Sequence, residues 1–214
     1  MTRIRQGISD NAAFEVPNLG DARIKDIPAD NEGWGAMMRS ETMEIRRIRA
    51  DEGLRLRALR LHALVDTPMA YGSTFAREES YPEALWHERA ATGAAGGDVV
   101  TFVAERGNQL VGMATGLVVG SEPESNPQPT MVGVFVDGSV RRQGVGVELV
   151  EQVVSWALMR GWTRLIVWIT SGNEPAIRLY RRCRFQLTGT TRPSAHTPSL
   201  IELEMARTLD ALPN

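Results

Sequence analysis

Residues 130–161 constrain this chain more than any other stretch. An apolar run, TMVGVFVDG, leads through SVRRQGVG into VELVEQVVSWALMRG. The first run reads as a strand, and its unbroken apolar character predicts burial on both faces. The last reads as a helix. Val145, Leu149, Val153 and Ala157 recur every four residues, flanked by Gly146, Val150, Val154 and Leu158, and Gly161 is a natural stop. A strand, a glycine turn and an amphipathic helix in direct succession require a layered α/β arrangement.

The turn itself fits two readings. Gly144 and Gly146 allow a tight backbone and close approach to a ligand. The helix behind them offers unpaired N–H groups and a positive dipole end, and Arg141 and Arg142 add charge. That combination suits a pyrophosphate, but a plain strand-to-helix turn needs the same glycines. Two familiar phosphate loops are excluded. No Gly-Lys-Ser/Thr ends the loop, and the third position of a dinucleotide fingerprint holds Leu149 instead of glycine.

The rest of the chain supplies partners for this unit. Met43–Arg49 reads as a first strand. DEGLRLRALRLHALVDTP follows as a helix, with Asp51 as N-cap, Leu54, Ala58, Leu61 and Val65 on one face, and Pro68 at its end. YGSTFAREES reads as a polar loop, and PEALWHERAATG as a short helix ending at Gly93. VVTFVAER and QLVGMATGLVVG form a hairpin about Gly107-Asn108. Beyond the glycine loop, TRLIVWIT is a strand and NEPAIRLYRRCR a helix capped by Asn173. FQLTGT and SLIELEMAR are closing strands, the latter alternating Ile201, Leu203 and Met205 with acidic residues. The expected order is β-α-α-β-β-β-α-β-α-β-β, a mixed sheet covered by helices.

Composition narrows the function classes. The 214 residues are 43% hydrophobic and 23% charged, a globular balance with ample core. A formal charge of -2 gives no reason to expect nucleic acid or an anionic membrane as partner. One cysteine, Cys183, excludes an internal disulfide and reads as buried filler. No Cys/His cluster has metal-ligand spacing, so no metal is expected. The cytoplasm is the expected compartment. Residues 1–42 lack sustained periodicity and are set apart as an N-terminal extension, residues 43–207 as the domain, and 208–214 as a C-terminal tail.

Two blocks together carry a resemblance. VFVDGSVRRQGVGVELVEQVVSWA resembles the coenzyme-A loop of the GNAT superfamily, the acetyl-CoA-dependent N-acetyltransferases. Arg141, Gly144 and Gly146 fall on that family's Arg/Gln-x-x-Gly-x-Gly/Ala pattern. LIVWITSGNEPAIRLYRRCRF is similar to its second block, with Asn173, Ala176, Tyr180 and Phe185 in place. LRALRLHALVDTPMAYGSTFAREES resembles its first-helix region, so the likeness covers residues 43–206.

The resemblance implies an α/β fold: a twisted, mostly antiparallel sheet with a central parallel pair, flanked by helices. It implies acetyl-CoA as cosubstrate and a small-molecule or peptide amine as acceptor. The backbone of Val134, Phe135 and Val136 would pair with the pantetheine arm. The N–H groups of Arg142, Gln143, Gly144, Val145, Gly146 and Val147, with Arg141 alongside, would hold the pyrophosphate. Asn173 would contact the arm as well as cap its helix. Tyr180 would protonate the departing thiolate. No carboxylate lies on the strand before the loop, so the base is least defined. Glu78 is the leading candidate, with Glu79, Glu105, Glu174, His87 and His196 behind it, and His62 read as packing or surface. The pair Glu122 and Glu124 hints at a cationic acceptor. The family carries glycine where this chain has Arg184, which demands a left-handed arginine or a different helix end. A homodimer is left open. The rival readings are a non-catalytic acyl-CoA sensing module of the same fold and, more distantly, a nucleotide-binding protein.

Overall fold

The computed structural model describes residues 42–120, 127–194 and 199–209. The expectations for residues 1–41, for Glu122 and Glu124, for His196 and for residues 210–214 lie outside the described residues.

Seven strands form one sheet in the order β1-β2-β3-β4-β5-β7-β6. They are β1 (Met43–Arg47), β2 (Val99–Arg106), β3 (Gln109–Val119), β4 (Gln128–Val136), β5 (Arg164–Thr170), β6 (Gln186–Pro193) and β7 (Ile201–Thr208). Only β4 and β5 run parallel; every other pair is antiparallel. Leu209 is buried just past β7, so the packed unit reaches beyond residue 207.

Helices cover both faces. On one lie α4 (Val145–Met159) and α5 (Glu174–Arg182). Val145, Leu149, Val153 and Ala157 are buried as the period demands, against Val100, Ala104, Leu165 and Val167 of the sheet. Each buried valine or leucine among them contributes about 1.5–3 kcal/mol. On the other face lie α1 (Gly53–Asp66) and α3 (Glu83–Ala95), whose Leu56, Leu59, Trp86 and Ala90 pack on Val103, Met113 and Phe135.

The structure corrects four local expectations. First, α1 is rotated from the predicted face. Of the predicted face only Leu61 is buried; Leu54 and Val65 are 48% and 63% exposed and Ala58 is exposed, while Leu56, Leu59, Ala63 and Leu64 are buried. Its N-cap is Glu52, not Asp51. The helix offers apolar residues on two faces, and Glu52 decides between them. Its carboxylate binds Arg46 of β1, so residues 52, 56, 59 and 63 turn toward the sheet.

Second, the expected polar loop contains a helix, α2 (Phe75–Glu79). Thr74 caps it by accepting the Arg77 N–H. Third, α3 runs past Gly93 to Ala95 and ends at left-handed Gly96. A side chain at Gly93 would collide with Thr101, so that glycine makes room for the sheet instead of stopping the helix. Fourth, β4 is not buried on both faces throughout. Val132 is exposed, and Gly133, Val134 and Val136 are half-buried.

Candidate active site

The exposure of β4 has a geometric cause. β4 and β5 pair only at Thr130↔Ile166 and Met131↔Val167. Gly133 then takes φ +64°, and the register with β3 shifts between Met113 and Thr115. This bulge bends β4 away from β5. From Val132 onward its β5-facing edge has no neighbouring strand among the described residues, so the sheet is opened at its β4–β5 parallel pair.

The glycine loop stands at the end of this opening. Asp137 starts the turn, accepting the Ser139 N–H at 2.9 Å and the Ser139 hydroxyl at 2.6 Å. Those bonds hold the Asp137 carboxyl down at about 2 against its burial. Gly144 adopts φ +93° as the N-cap of α4, and Arg142 also lies in the left-handed region at φ +63°. The helix's first internal bonds come from Val147 and Glu148 to the Gly144 carbonyl. No protein acceptor among the described residues takes the N–H groups of Arg142, Gln143, Gly144, Val145 or Gly146. The N–H groups at the head of this fifteen-residue helix are of the kind that suits an anion.

Arg141 has a structural task at the loop. Its Nε donates to the Val136 carbonyl at 2.9 Å, and its Nη2 pairs with Asp66 at the end of α1. The side chain ties the loop to α1 through Nε and Nη2 and remains 43% exposed.

Tyr180, on α5, is 5% exposed and packs edge-to-face on Phe185 with centroids 5.6 Å apart. Burial raises its hydroxyl well above the ordinary phenol range, and the nearby Tyr71 and Cys183 push the same way. The group stays protonated. Asn173 caps α5 by accepting the Ala176 N–H at 3.2 Å. It also lines a cleft of about 400 Å³ with Thr67, Pro68, Met69, Thr170 and Leu200, beside the opened strands.

Glu78 is buried on α2 and committed. Arg60 donates to its two oxygens at 2.8–3.2 Å, and Arg89 approaches at 3.5 Å. Burial pushes the carboxyl up, but the Arg60 hydrogen bonds and charge outweigh it and hold the group below the usual range. That environment opposes taking a proton. Glu79 ends the same short helix, exposed. Glu105 lies in an ion-pair cluster with Arg46 and Arg55 at the far strands, and Glu174 is exposed beside Arg178. His87 packs on Gly53 at the start of α1. His62 bonds Asp137 at 2.8 Å and stands edge-on to Phe135.

Sequence reasoning missed Tyr71. Its hydroxyl donates to the Val134 carbonyl at 3.1 Å, and Arg60 stacks over its ring at 4.5 Å. The contact joins residues 63 apart in sequence, and no local pattern announces it.

A mixed α/β domain with its sheet opened at the single parallel pair, and an anion-receiving helix N-terminus at the opening, is the architecture of a coenzyme-A-type acyltransferase. The chain belongs to the GNAT acetyltransferase family: the sequence model described as "Acetyltransferase (GNAT) family" matches residues 61–185. Among curated proteins, N-acetyltransferase 8F1 of Rattus norvegicus is 33% identical over 88 residues. That match spans 41% of this chain and 40% of the rat protein, so the chain aligns with less than half of that relative. Among solved structures, yncA of Salmonella typhimurium, a putative acetyltransferase with its cofactor acetyl-CoA, superposes with TM-score 0.66 at 20% identity. It covers 81% of this chain and 99% of its own. NAA60 of Arabidopsis thaliana, in complex with a bisubstrate analogue, gives TM-score 0.59 at 17% identity over 80% of this chain and all of its own. At these identities the structural likeness bears on the fold.

Proposed function

We propose that this protein transfers an acetyl group from acetyl-CoA to a primary amine by direct attack in a ternary complex. The observation that carries the reading is the opened β4 edge ending at the loop's free N–H groups. A pantetheine arm is a chain of amides and pairs with a strand edge that no other strand covers. A pyrophosphate needs clustered donors, and this loop holds them at the end of the opening. The yncA structure with acetyl-CoA supports the same choice. In this reading Val134, Phe135 and Val136 form the edge, where Tyr71 and Arg141 already hold the Val134 and Val136 carbonyls. Arg142 to Gly146 supply the N–H donors, the expected Val147 N–H being taken by the Gly144 carbonyl, and Asn173 closes the arm from α5. Arg141 contributes through its backbone and by fixing the loop.

Acetyl-CoA supplies a thioester. The amine nitrogen attacks its carbonyl carbon, and the carbon–sulfur bond breaks. The sulfur leaves with the bonding pair and takes the Tyr180 proton, giving the free thiol. The nitrogen loses a proton to solvent, and Tyr180 regains one from solvent. With Glu78 committed to Arg60, the acceptor enters as the free amine.

The test measures thiol release with a panel of phenethylamine, spermidine, lysine and a methionine-initiated peptide. At least one amine is expected to turn over, and Tyr180→Phe to lower kcat by about 10²–10⁴-fold with acetyl-CoA affinity unchanged. Because the raised phenol stays protonated, activity shows no alkaline fall from Tyr180 up to pH 10. Tight acetyl-CoA binding without turnover on any amine would instead support the sensing module, and failure to bind acetyl-CoA sinks both.

A further inference from the structure

The carboxylate that sequence reasoning offered as a base is built into a strut. Glu78 stands on a five-residue helix, 3% exposed, with Arg60 donating through Nη2 to Oε1 at 2.8 Å and through Nε to both oxygens. Burying a carboxylate is costly unless it is paired and hydrogen-bonded, and these contacts meet that condition. The same Arg60 guanidinium lies 4.5 Å from the Tyr71 ring centroid, a cation–π distance. Tyr71 in turn donates its hydroxyl to the Val134 carbonyl. Val134 directly follows left-handed Gly133, past the last β4–β5 pair. Its carbonyl has no neighbouring β5 residue to bond, and Tyr71 supplies the partner instead. A chain of four side-chain and backbone groups therefore runs from α2, through α1, to the lip of the opened sheet.

Resting on the acetyl-transfer reading above, we propose that Glu78 is a positioning residue: through Arg60 and the Tyr71 hydroxyl it fixes the Gly133–Val134 bulge against which the thioester lies. Holding the Val134 carbonyl fixes the plane of the Val134–Phe135 peptide, and with it the edge that receives the cosubstrate. A displacement of about 1 Å at a reacting centre costs on the order of 10²-fold in rate, so a strut of this kind acts on kcat. Neither Glu78 nor Arg60 needs to touch the substrate. A base at Glu78 and a strut at Glu78 differ in what they do to the pH profile and in how their removal combines with loss of the Tyr71 hydroxyl.

The experiment compares Glu78→Gln, Tyr71→Phe and the double variant with the wild type, using acetyl-CoA and the most active amine of the panel. Tyr71→Phe keeps the ring under Arg60 and removes only the hydroxyl. Each single change is expected to lower kcat by about 10-fold or more, with both KM values within about threefold. The pH profile keeps its shape in Glu78→Gln, and the double variant is no slower than the slower single, because both break one chain. Wild-type kcat in Tyr71→Phe overturns the proposal. So does loss of the acid limb in Glu78→Gln, which would make Glu78 a base, and so do losses that multiply in the double variant. If Glu78→Gln does not fold, Tyr71→Phe alone decides. Absence of turnover in the wild type is a failure of the acetyl-transfer reading itself, and is seen before any variant is made.

Discussion

Arg184 takes φ +65° just past Cys183, the C-cap of α5, in the left-handed region that favours glycine. The hydrogen bonds explain why an arginine is held there. The Phe185 N–H bonds the Tyr180 carbonyl at 2.9 Å, and the Arg184 N–H bonds the Arg181 carbonyl at 3.0 Å. This is the paired closure of a Schellman motif, and it needs a left-handed residue at that place. An L-residue pays roughly 1 kcal/mol for the conformation. Arg184→Gly is therefore expected to raise stability by about 0.5–1 kcal/mol, a rise in Tm of roughly 2–4 °C at most for a chain of this size. Thermal unfolding of the two proteins checks it. A lower Tm would show that the arginine side chain contributes more than its backbone costs. Since the closure already exists, the place of Tyr180 should not change, and kcat should stay within about twofold.

At the scale of elements, the fold depends on how α1 is rotated, and the rotation depends on Glu52. Its buried carboxylate accepts from Arg46 at 2.7 and 2.8 Å, from the Arg49 backbone at 2.8 Å, and from Arg49 and Arg55 side chains. Arg46 and Arg55 also bind Glu105, which joins β1, β2 and α1 in one cluster. Burial alone would raise the Glu52 carboxyl, but the arginine contacts prevail and bring it down to about 2. A depressed carboxylate contributes stability that is present above the unfolded value of about 4.3 and is lost as pH falls toward 2. Glu52→Gln is expected to cost roughly 3 kcal/mol at pH 7 and much less at pH 2–3. Urea titrations at the two pH values measure the difference. An equal loss at both would assign the effect to packing.

The same cluster marks where sequence reading stops. The strand–loop–helix unit around Gly144 and the capped helix at Asn173 were legible because their patterns are local: apolar spacing, a glycine pair, an Asn-x-Pro start. The rotation of α1 was not, because LRLRALRLHALV satisfies a helical period on two faces, and the choice is made by Glu52 reaching back to Arg46. Tyr71 was invisible for a related reason. Its partner is a backbone carbonyl on a strand 63 residues away, and backbone carbonyls leave no trace in sequence. Glu78, expected in a polar loop, is buried on α2, and the sequence does not show this because Arg60 comes beside it only once α1 has turned.

For the whole molecule, the cleft at the end of β5 gathers segments from distant parts of the chain. The Pro68–Ala70 turn, the β5–α5 connection and Leu200 before β7 enclose the cleft of about 400 Å³, and the Thr170 hydroxyl bonds the Met69 carbonyl at 3.0 Å across it. The described lining is uncharged: Pro68, Met69, Ala70, Pro175 and Leu200 supply apolar surface, and Thr67, Thr170, Ser171 and Asn173 supply hydroxyl and amide groups. The nearest acidic residues of β7 are engaged elsewhere, Glu202 by Arg192 at 2.7 Å and Glu204 by Arg164 at 2.8 Å. A polycation would lose hydration against this uncharged described lining, with only exposed Glu174 beside it, whereas an apolar substituent would gain about 25 cal/mol for each Å² it buries. If the acceptor lies in this cleft, phenethylamine and the methionine-initiated peptide should exceed spermidine and lysine in kcat/KM by about 10-fold or more, mostly through KM. Met69→Glu adds one carboxylate to the rim without touching the proposed cosubstrate edge. It should lower kcat/KM for phenethylamine, raise it for spermidine, and leave acetyl-CoA affinity as it was. An unchanged order of the four amines in that variant would place the acceptor outside this cleft.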